Sequence, residues 1–506
     1  MKAYQIAALA LAAMSSLSPA APKKAPAELG NVLYIGDSIT HGFGAPSYRW
    51  ALHKIFVDNG ISYNEIGIET GNHSKGVEPG TLYIGNAFRN VHAAMSSERA
   101  YEVSNRKHDS QRLDASSVFH WLGFDKDAAG EEVKPIDKRK LDSVPDTCFI
   151  LLGTNDTLSD YGPKGGIAKN LLLAEKALLD KKKGDMPIIV NALRQKNPKV
   201  RIVLLTIPTW CDRNENSTDK DYQAIVKKYN KKFANSFKKE TVVDLNQGLV
   251  DICCEEKPGR GVADFFNSRD KLHPSLQGDL IMAGLVARTM GYAGRTAGAP
   301  RKAAGEFGRQ AAALLEGATE KEKVDAAGEG LNLKAGAKMV TPWPEGSEAA
   351  KGFTVELLMN VGNGATGGWE KEGNVILSLG NGAHSAKLKL AEGYILWNDG
   401  TVLYPFNMAD KKVEPLRVMW VPGSELHNVP KGFYVWLGDM LIGEALPDDG
   451  AKFNGIGLAN VSSKDEVVRR LAAEDKPVAP ATKGMVKEAT LVAYDEETAA
   501  PAAAQN

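Results

Sequence analysis

Between residues 30 and 295, short apolar runs alternate with helix-like stretches, and this alternation constrains the fold more than any other feature of the chain. NVLYIG precedes the helical pattern SYRWALHKIFVDNG. TCFILLG precedes a helical stretch from about 166 to 196, and RIVLLTIP precedes DYQAIVKKYNKKFANSF. TVVDLN and a last helix, SLQGDLIMAGLVARTMG, complete the series. Runs of four to six apolar residues without polar alternation need cover on both faces, as parallel strands between helices have. The expectation is a doubly wound α/β domain with a parallel sheet over 30–295. The segment from about 69 to 142, rich in Gly, Asn, His and charge, breaks the alternation. It is expected to be an insertion near the site or at the sheet edge.

Beyond 295 the texture changes twice. Residues 296–330 are rich in Ala, Gly, Lys and Glu and read as a partly helical linker. Residues 331–465 hold short runs punctuated by Gly, Asn and Pro, such as FTVELLMNV, NVILSLG and GFYVWLGDMLIGEAL. These predict an all-β sandwich domain. Residues 466–506 are rich in Ala, Pro and Glu and read as a disordered tail, to which ATLVAY could add one strand.

Residues 1–20 have the form of a secretory signal peptide: Lys2, an apolar stretch from Ile6 to Met14, and the small-residue site Ser18-Pro19-Ala20. A periplasmic or secreted protein without a membrane span is expected. Lys and Arg number 62, as do Asp and Glu, so the formal net charge is zero. That removes the usual electrostatic case for a nucleic-acid partner. Of four cysteines, Cys148 sits in an apolar strand and reads as a small core hydrophobe. Cys211, Cys253 and Cys254 have no metal-ligand spacing; one disulfide is allowed, but its pairing cannot be read.

Three short blocks bear on chemistry. Gly36-Asp37-Ser38-Ile39-Thr40 follows the first strand. Gly153-Thr154-Asn155-Asp156 ends the strand FILL. Asp270-Lys271-Leu272-His273-Pro274 precedes the last helix. Read singly, each has an ordinary structural role: a turn serine, a helix-capping Asn or Asp, a turn histidine. Read together, they place Ser38, Asn155, Asp270 and His273 where one sheet edge can gather them. A serine hydroxyl is a poor nucleophile until a base within hydrogen-bond reach takes its proton. The His needs a carboxylate on its other nitrogen, and Asp270 stands three residues before His273. The Ser38 N–H and the Asn155 amide are the kinds of donor an oxyanion needs.

In these blocks and their order, the chain resembles the SGNH (GDSL) hydrolase family over about residues 30–295. The resemblance implies a flavodoxin-like three-layer α/β/α domain and a serine esterase without metal or organic cofactor. It implies Ser38 as nucleophile, His273 as base, Asp270 as its partner and Asn155 as oxyanion donor. The family carries a second backbone donor, usually at a glycine after the second strand. With that strand near ISYNEIGI, Gly67 or Gly71 would serve. Alternatively, Asp114 in RLDASSVFHWL would take the place.

His73, His92, His108 and His120 lie in the 69–142 segment and lack paired ligand spacing, so surface or hydrogen-bonding roles are favoured over a metal site. Trp343, Trp369, Trp397, Trp420 and Trp436 fall in the β domain. They could stack on glycans or fill a core; Trp420 and Trp436, inside strong strand patterns, read as core, and Trp369 as the better candidate for exposure. The domain weakly resembles concanavalin/laminin-G-like sandwiches. The expected function is an exported carbohydrate O-acetylesterase acting on a polysaccharide, a glycoprotein glycan or sialic acid. Two alternatives stay open: a non-catalytic glycan-binding or cell-surface protein that uses the sandwich, and an envelope O-acetyltransferase.

Overall fold

A computed structural model of the chain describes residues 26–43, 46–73, 76–104, 117–133, 140–158, 178–180, 183–208, 219–245, 272–292, 301–345, 351–359, 375–379, 386–391, 394–398, 401–405, 414–423, 429–447 and 454–480. The signal-peptide stretch, Asp114, Asp270, Trp369, Cys211, Cys253, Cys254 and the ATLVAY segment lie outside the described residues.

The first half is the expected α/β domain. Its strands are β1 (Glu28–Gly36), β2 (Ser62–Ile66), β3 (Val91–Ala94), β4 (Thr147–Leu151), β5 (Arg201–Leu205) and β6 (Thr241–Val243). Its helices include α1 (Ser38–His41), α2 (Tyr48–Asp58), α3 (Ala100–Val103), α4 (Thr154–Leu158), α5 (Asp185–Lys196), α6 (Asp219–Ser236) and α7 (Leu276–Met290). β1, β4, β5 and β6 lie side by side and parallel. The other flank of β1 is shared: β2 pairs with Glu28–Leu33 and β3 with Ile35–Gly36, both parallel. Val32–Ile35 and Cys148–Leu151 are fully buried, as strands covered on both faces must be. Cys148 is a core residue with a free thiol.

The strand order changes direction at β1, with β2 and β3 on one side and β4 on the other. Such a switch point opens a crevice at the carboxyl ends of the strands. Part of the 69–142 segment is therefore no insertion. β3 is a strand of the central sheet, only four residues long and carrying His92, too short and too polar to stand out as a buried run.

The second half is a β domain, thirteen strands hydrogen-bonded into one antiparallel sheet. Trp397 lies in a strand next to one edge, and Phe433 in a strand next to the other. Their rings are 4.9 Å apart, so the sheet folds over on itself and buries its inner face. Trp343, Trp397, Trp420 and Trp436 are all buried there. These four tryptophans are core, not a glycan platform.

Two expected boundaries are corrected. Within the expected linker, Glu320–Ala327 is a strand paired with Gly330–Pro342, and Arg309–Gln310 pairs with Ala472–Ala473. Its alternating charges belong to an edge strand with one solvated face. Within the expected tail, Glu466–Glu474 is an interior strand between Gly330–Pro342 and Phe353–Met359.

Helix α7 joins the halves. Ser275 caps its start by accepting from the Gly278 N–H, and Gly291 ends it in the left-handed region, φ 82°. Its sequence is apolar nearly all round because it is covered on two sides. One side packs on α2, the other on the edge strand Met440–Leu446. Gly284 allows this approach, since a Cβ there would lie 2.5 Å from Met440 Cγ. Gln277 donates through its side-chain amide to the carbonyls of Leu403 and Ile442, one on each edge strand of the β sheet. Ion pairs Lys54–Glu444 and Arg288–Glu414 also cross the boundary.

Candidate active site

Ser38 sits where β1 ends and α1 begins. Gly36 has no room for a side chain: a Cβ would lie 2.1 Å from Thr40 Oγ1 and 3.0 Å from the Leu151 carbonyl. Asp37 caps α1, its Oδ1 accepting from the Ile39 N–H at 3.0 Å. Gly42 closes the turn in the left-handed region. The tight glycine and the cap together hold the serine at the sheet edge.

His273 arrives from the other end of the domain, just before α7. Its Nε2 lies 2.7 Å from Ser38 Oγ, across 235 residues of sequence, and both side chains are buried. If Nε2 accepts from the serine hydroxyl, the ring proton resides on Nδ1, the tautomer a carboxylate partner stabilises. The Phe43 ring packs on the imidazole at 4.4 Å between centroids, and His73 lies on Phe43 at 5.0 Å.

Asn155 stands at the start of α4, directly after β4. Its side-chain amide donates to the Glu98 carbonyl at 3.0 Å, which orients it. That carbonyl belongs to a turn after β3, closed by the Glu98 N–H donating to Met95 O at 3.1 Å. The Met95 N–H donates to the Gly36 carbonyl. The turn is thus pinned between the strand that carries Ser38 and the helix that carries Asn155. Ser97 within it has φ 68°, a conformation glycine adopts most readily.

Gly71 is a poor fit to the role expected of it. Its N–H already donates to the Asn90 carbonyl at 2.9 Å, and its own carbonyl accepts from Arg49 Nη2 and His92 Nε2. Gly67 has a packing role: a Cβ would lie 2.3 Å from the His92 backbone nitrogen. The turn at 95–98 was hidden in the sequence because β3 was not recognised as a strand. The small pair Ser96-Ser97 directly after it was the available signal.

Several buried charges surround this edge. Burial pushes the carboxyls of Asp37, Glu65 and Asp156 up to about 7. Asp156 ties α4 to α3 through the Ala100 N–H. Arg49 is buried, donates through Nε to the Thr40 carbonyl at 2.7 Å, and lies over the Tyr34 ring. It helps to hold His41 down at about 4, after burial, the larger cause. His92 is also pushed down by burial; one of its ring nitrogens meets the Gly71 carbonyl and the other accepts from the Ala94 N–H. Of these imidazoles, His273 is the one on the serine. Among the described residues, no group of three His, Cys, Asp or Glu side chains could hold a metal ion.

A switch-point crevice, a capped serine after the first strand, and a histidine on that serine define an α/β hydrolase site that works through serine. Residues 34–280 match the model of the GDSL-like lipase/acylhydrolase family, to which this α/β part of the chain is similar. It is an SGNH-type serine ester hydrolase. Among solved structures, it is similar to a carbohydrate esterase family 3 protein from Talaromyces cellulolyticus, with 17% identity and a TM-score of 0.32, over 52% of this chain and 96% of that one. It is also similar to a family 3 carbohydrate esterase of Clostridium thermocellum, with 18% identity and a TM-score of 0.30, over 52% and 94%. An extracellular lipase from Streptomyces rimosus matches at 14% identity and a TM-score of 0.29, over 52% and 99%. No curated protein matches the chain. No helix among the described residues is long and apolar enough to cross a membrane.

Proposed function

We propose that the chain is an exported carbohydrate O-acetylesterase that works through Ser38, His273 and Asp270. The observation that carries this reading is the 2.7 Å contact between His273 Nε2 and Ser38 Oγ. His273 takes the hydroxyl proton as Ser38 attacks the ester carbonyl. The oxyanion is held by the Ser38 N–H, the Asn155 amide and an N–H of the Met95–Glu98 turn, with Ser97 the leading position. His273 passes the proton to the departing sugar oxygen. Water, deprotonated by the same imidazole, then releases acetate from the acyl-serine. Asp270, three residues before His273, holds the imidazole by its Nδ1–H.

Two features support a short acyl group on a polar alcohol. Phe43 lies against the imidazole, and its N–H donates to the Ser38 carbonyl. The polar ring of His73 stacks on Phe43. The form of residues 1–20 in the sequence supports export.

The test is hydrolysis of para-nitrophenyl acetate by the mature protein beside Ser38→Ala and His273→Ala, followed by a panel of acetylated sugars. Loss of roughly 10³-fold or more in kcat in both variants, with folding matched by circular dichroism, is expected. Equal activity in Ser38→Ala would sink the mechanism. Activity on para-nitrophenyl butyrate or longer esters well above that on acetylated sugars would sink the substrate class.

A further inference from the structure

A cavity of about 240 Å³ lies between the two domains. The first turns of α2 and α7 line it from the α/β side, and strand Met440–Leu446 lines it from the β domain. Both helices point their N-termini at the sheet edge that carries Ser38. The walls are also close to the site along the chain. Gln277 is four residues past His273, and Ser47 Oγ donates to the carbonyl of Thr40, two residues past Ser38.

Its lining has the make-up of a ligand site. Trp50 gives an apolar wall, and the Lys54–Glu444 ion pair spans the cavity between domains. Asp279 is buried and lines the cavity; its carboxylate accepts from the backbone of Ser47 and Tyr48, and its Oδ2 has no hydrogen-bond partner among the described residues. Burial pushes this carboxyl above the usual carboxylate range, against the backbone N–H groups of Tyr48 and Ser47 that it accepts from. A buried polar group left unpaired costs about 1–3 kcal/mol, which a ligand hydroxyl would recover. Ser47 is held at φ 73° and ψ 147°, a region nearly reserved for glycine. Such strain gathers at ligand-binding sites.

We propose that this interdomain cavity binds a neutral sugar ring of the alcohol half of the ester. The inference rests on the carbohydrate-esterase reading for the identity of the alcohol. An apolar wall with a few converging polar groups is what a polyhydroxylated ring requires: CH groups against Trp50, on whose ring His53 stacks and the Lys54 ammonium lies, and hydroxyls to Asp279 and Glu444. The volume lies below the ~300–1,000 Å³ of drug-sized sites, so one ring is the natural occupant. The β domain would thus take part in recognition through its edge strand, with its four described tryptophans left in the core. Gln277, clamped to both edge strands, keeps the cavity in register with His273.

The test uses the full chain as Ser38→Ala, with unacetylated xylotetraose, cellotetraose and chitotetraose as probes, followed by calorimetry and tryptophan fluorescence. At least one probe is expected to bind at millimolar concentration or below. Trp50→Leu should weaken it by about tenfold or more, and Glu444→Gln by about threefold or more. Glu444→Gln lies on the β domain and keeps the proposal testable should Trp50→Leu fail to fold. No binding of any probe to the folded Ser38→Ala chain overturns the proposal. Binding that both variants leave unchanged overturns it too, by placing the sugar elsewhere. Para-nitrophenyl acetate hydrolysis by the wild type reads the esterase separately: oligosaccharide binding without hydrolysis leaves the cavity standing and removes the catalytic reading.

Discussion

Replacing Asp37 by Asn should make the protein more stable at alkaline pH, although Asp37 adjoins Ser38. Its carboxyl is fully buried, and burial raises it from 3.8 to about 7; the Ile39 N–H and the Thr154 hydroxyl only partly oppose this. Below about pH 4 both folded and unfolded chains hold this proton, and no pH dependence arises. Between about pH 4 and 7 the unfolded chain releases a proton that the native chain keeps. The native state then binds more protons, so stability falls as pH rises. From 3.8 to about 7 is roughly three pKa units, and at 1.36 kcal/mol each the loss has a ceiling of about 4 kcal/mol. Asn keeps an Oδ1 acceptor for the Ile39 N–H and carries no titration. Asp37→Asn should match the wild type near pH 4 and exceed it at pH 8, by about 1 kcal/mol up to that ceiling. Asp37→Ala also carries no titration but loses the cap and leaves the Ile39 N–H unpaired, so it should lie about 1–3 kcal/mol below Asp37→Asn at every pH. Urea unfolding at pH 4, 6 and 8 measures these differences, and kcat/KM for para-nitrophenyl acetate shows whether Ser38 keeps its place. Equal stability of Asp37→Asn and the wild type at pH 8, or lower stability of the variant, refutes the idea that burial holds the native carboxyl protonated.

If Asn155 holds the oxyanion as proposed, Asn155→Ala should lower kcat by ~10²–10³ with little change in KM, because such a donor acts on charge that appears only in the transition state. Steady-state kinetics on para-nitrophenyl acetate decide this, and an equal loss in kcat and gain in KM would speak for substrate binding. Ser97→Gly relieves a left-handed backbone and should keep activity while raising stability by up to about 1 kcal/mol; a destabilised variant in urea would contradict it. Arg417 and Glu356 form a buried pair in the β domain. Arg417→Met should cost up to about 3–5 kcal/mol by leaving buried Glu356 with only Arg470, 3.8 Å from its other oxygen, and a Tm unchanged from the wild type would contradict that.

Much of the α/β domain was legible because its signals are local. Val32–Ile35 and Cys148–Leu151 are apolar on both faces, and only a covered parallel strand accepts that. Ser38 follows directly from its strand, since Gly36 and Asp37 state the tight turn and the cap in adjacent residues. β3 was not legible. Four residues carrying a histidine have no periodicity, and His92 becomes a strand residue only because Gly71 and Ala94 satisfy both of its ring nitrogens. Without β3, the sequence points to Gly71 for a second oxyanion donor, and the fold already uses that N–H on the Asn90 carbonyl.

The β domain divides in the same way. Its strands were readable from apolar runs between turn residues, but Glu320–Ala327 and Glu466–Glu474 were not. Their polar faces look like linker or tail until a partner strand supplies hydrogen bonds. By itself, the sequence determined which segments need burial, where the serine sits, and which residue types could serve it, because each of these depends on neighbours a few positions away. Only the tertiary structure decided that His273 meets Ser38 across 235 residues, that the 95–98 turn lies between Gly36 and Asn155, and that α7 closes a cavity against the β domain. Those are long-range contacts, and they depend on strand order and packing, which no local pattern encodes.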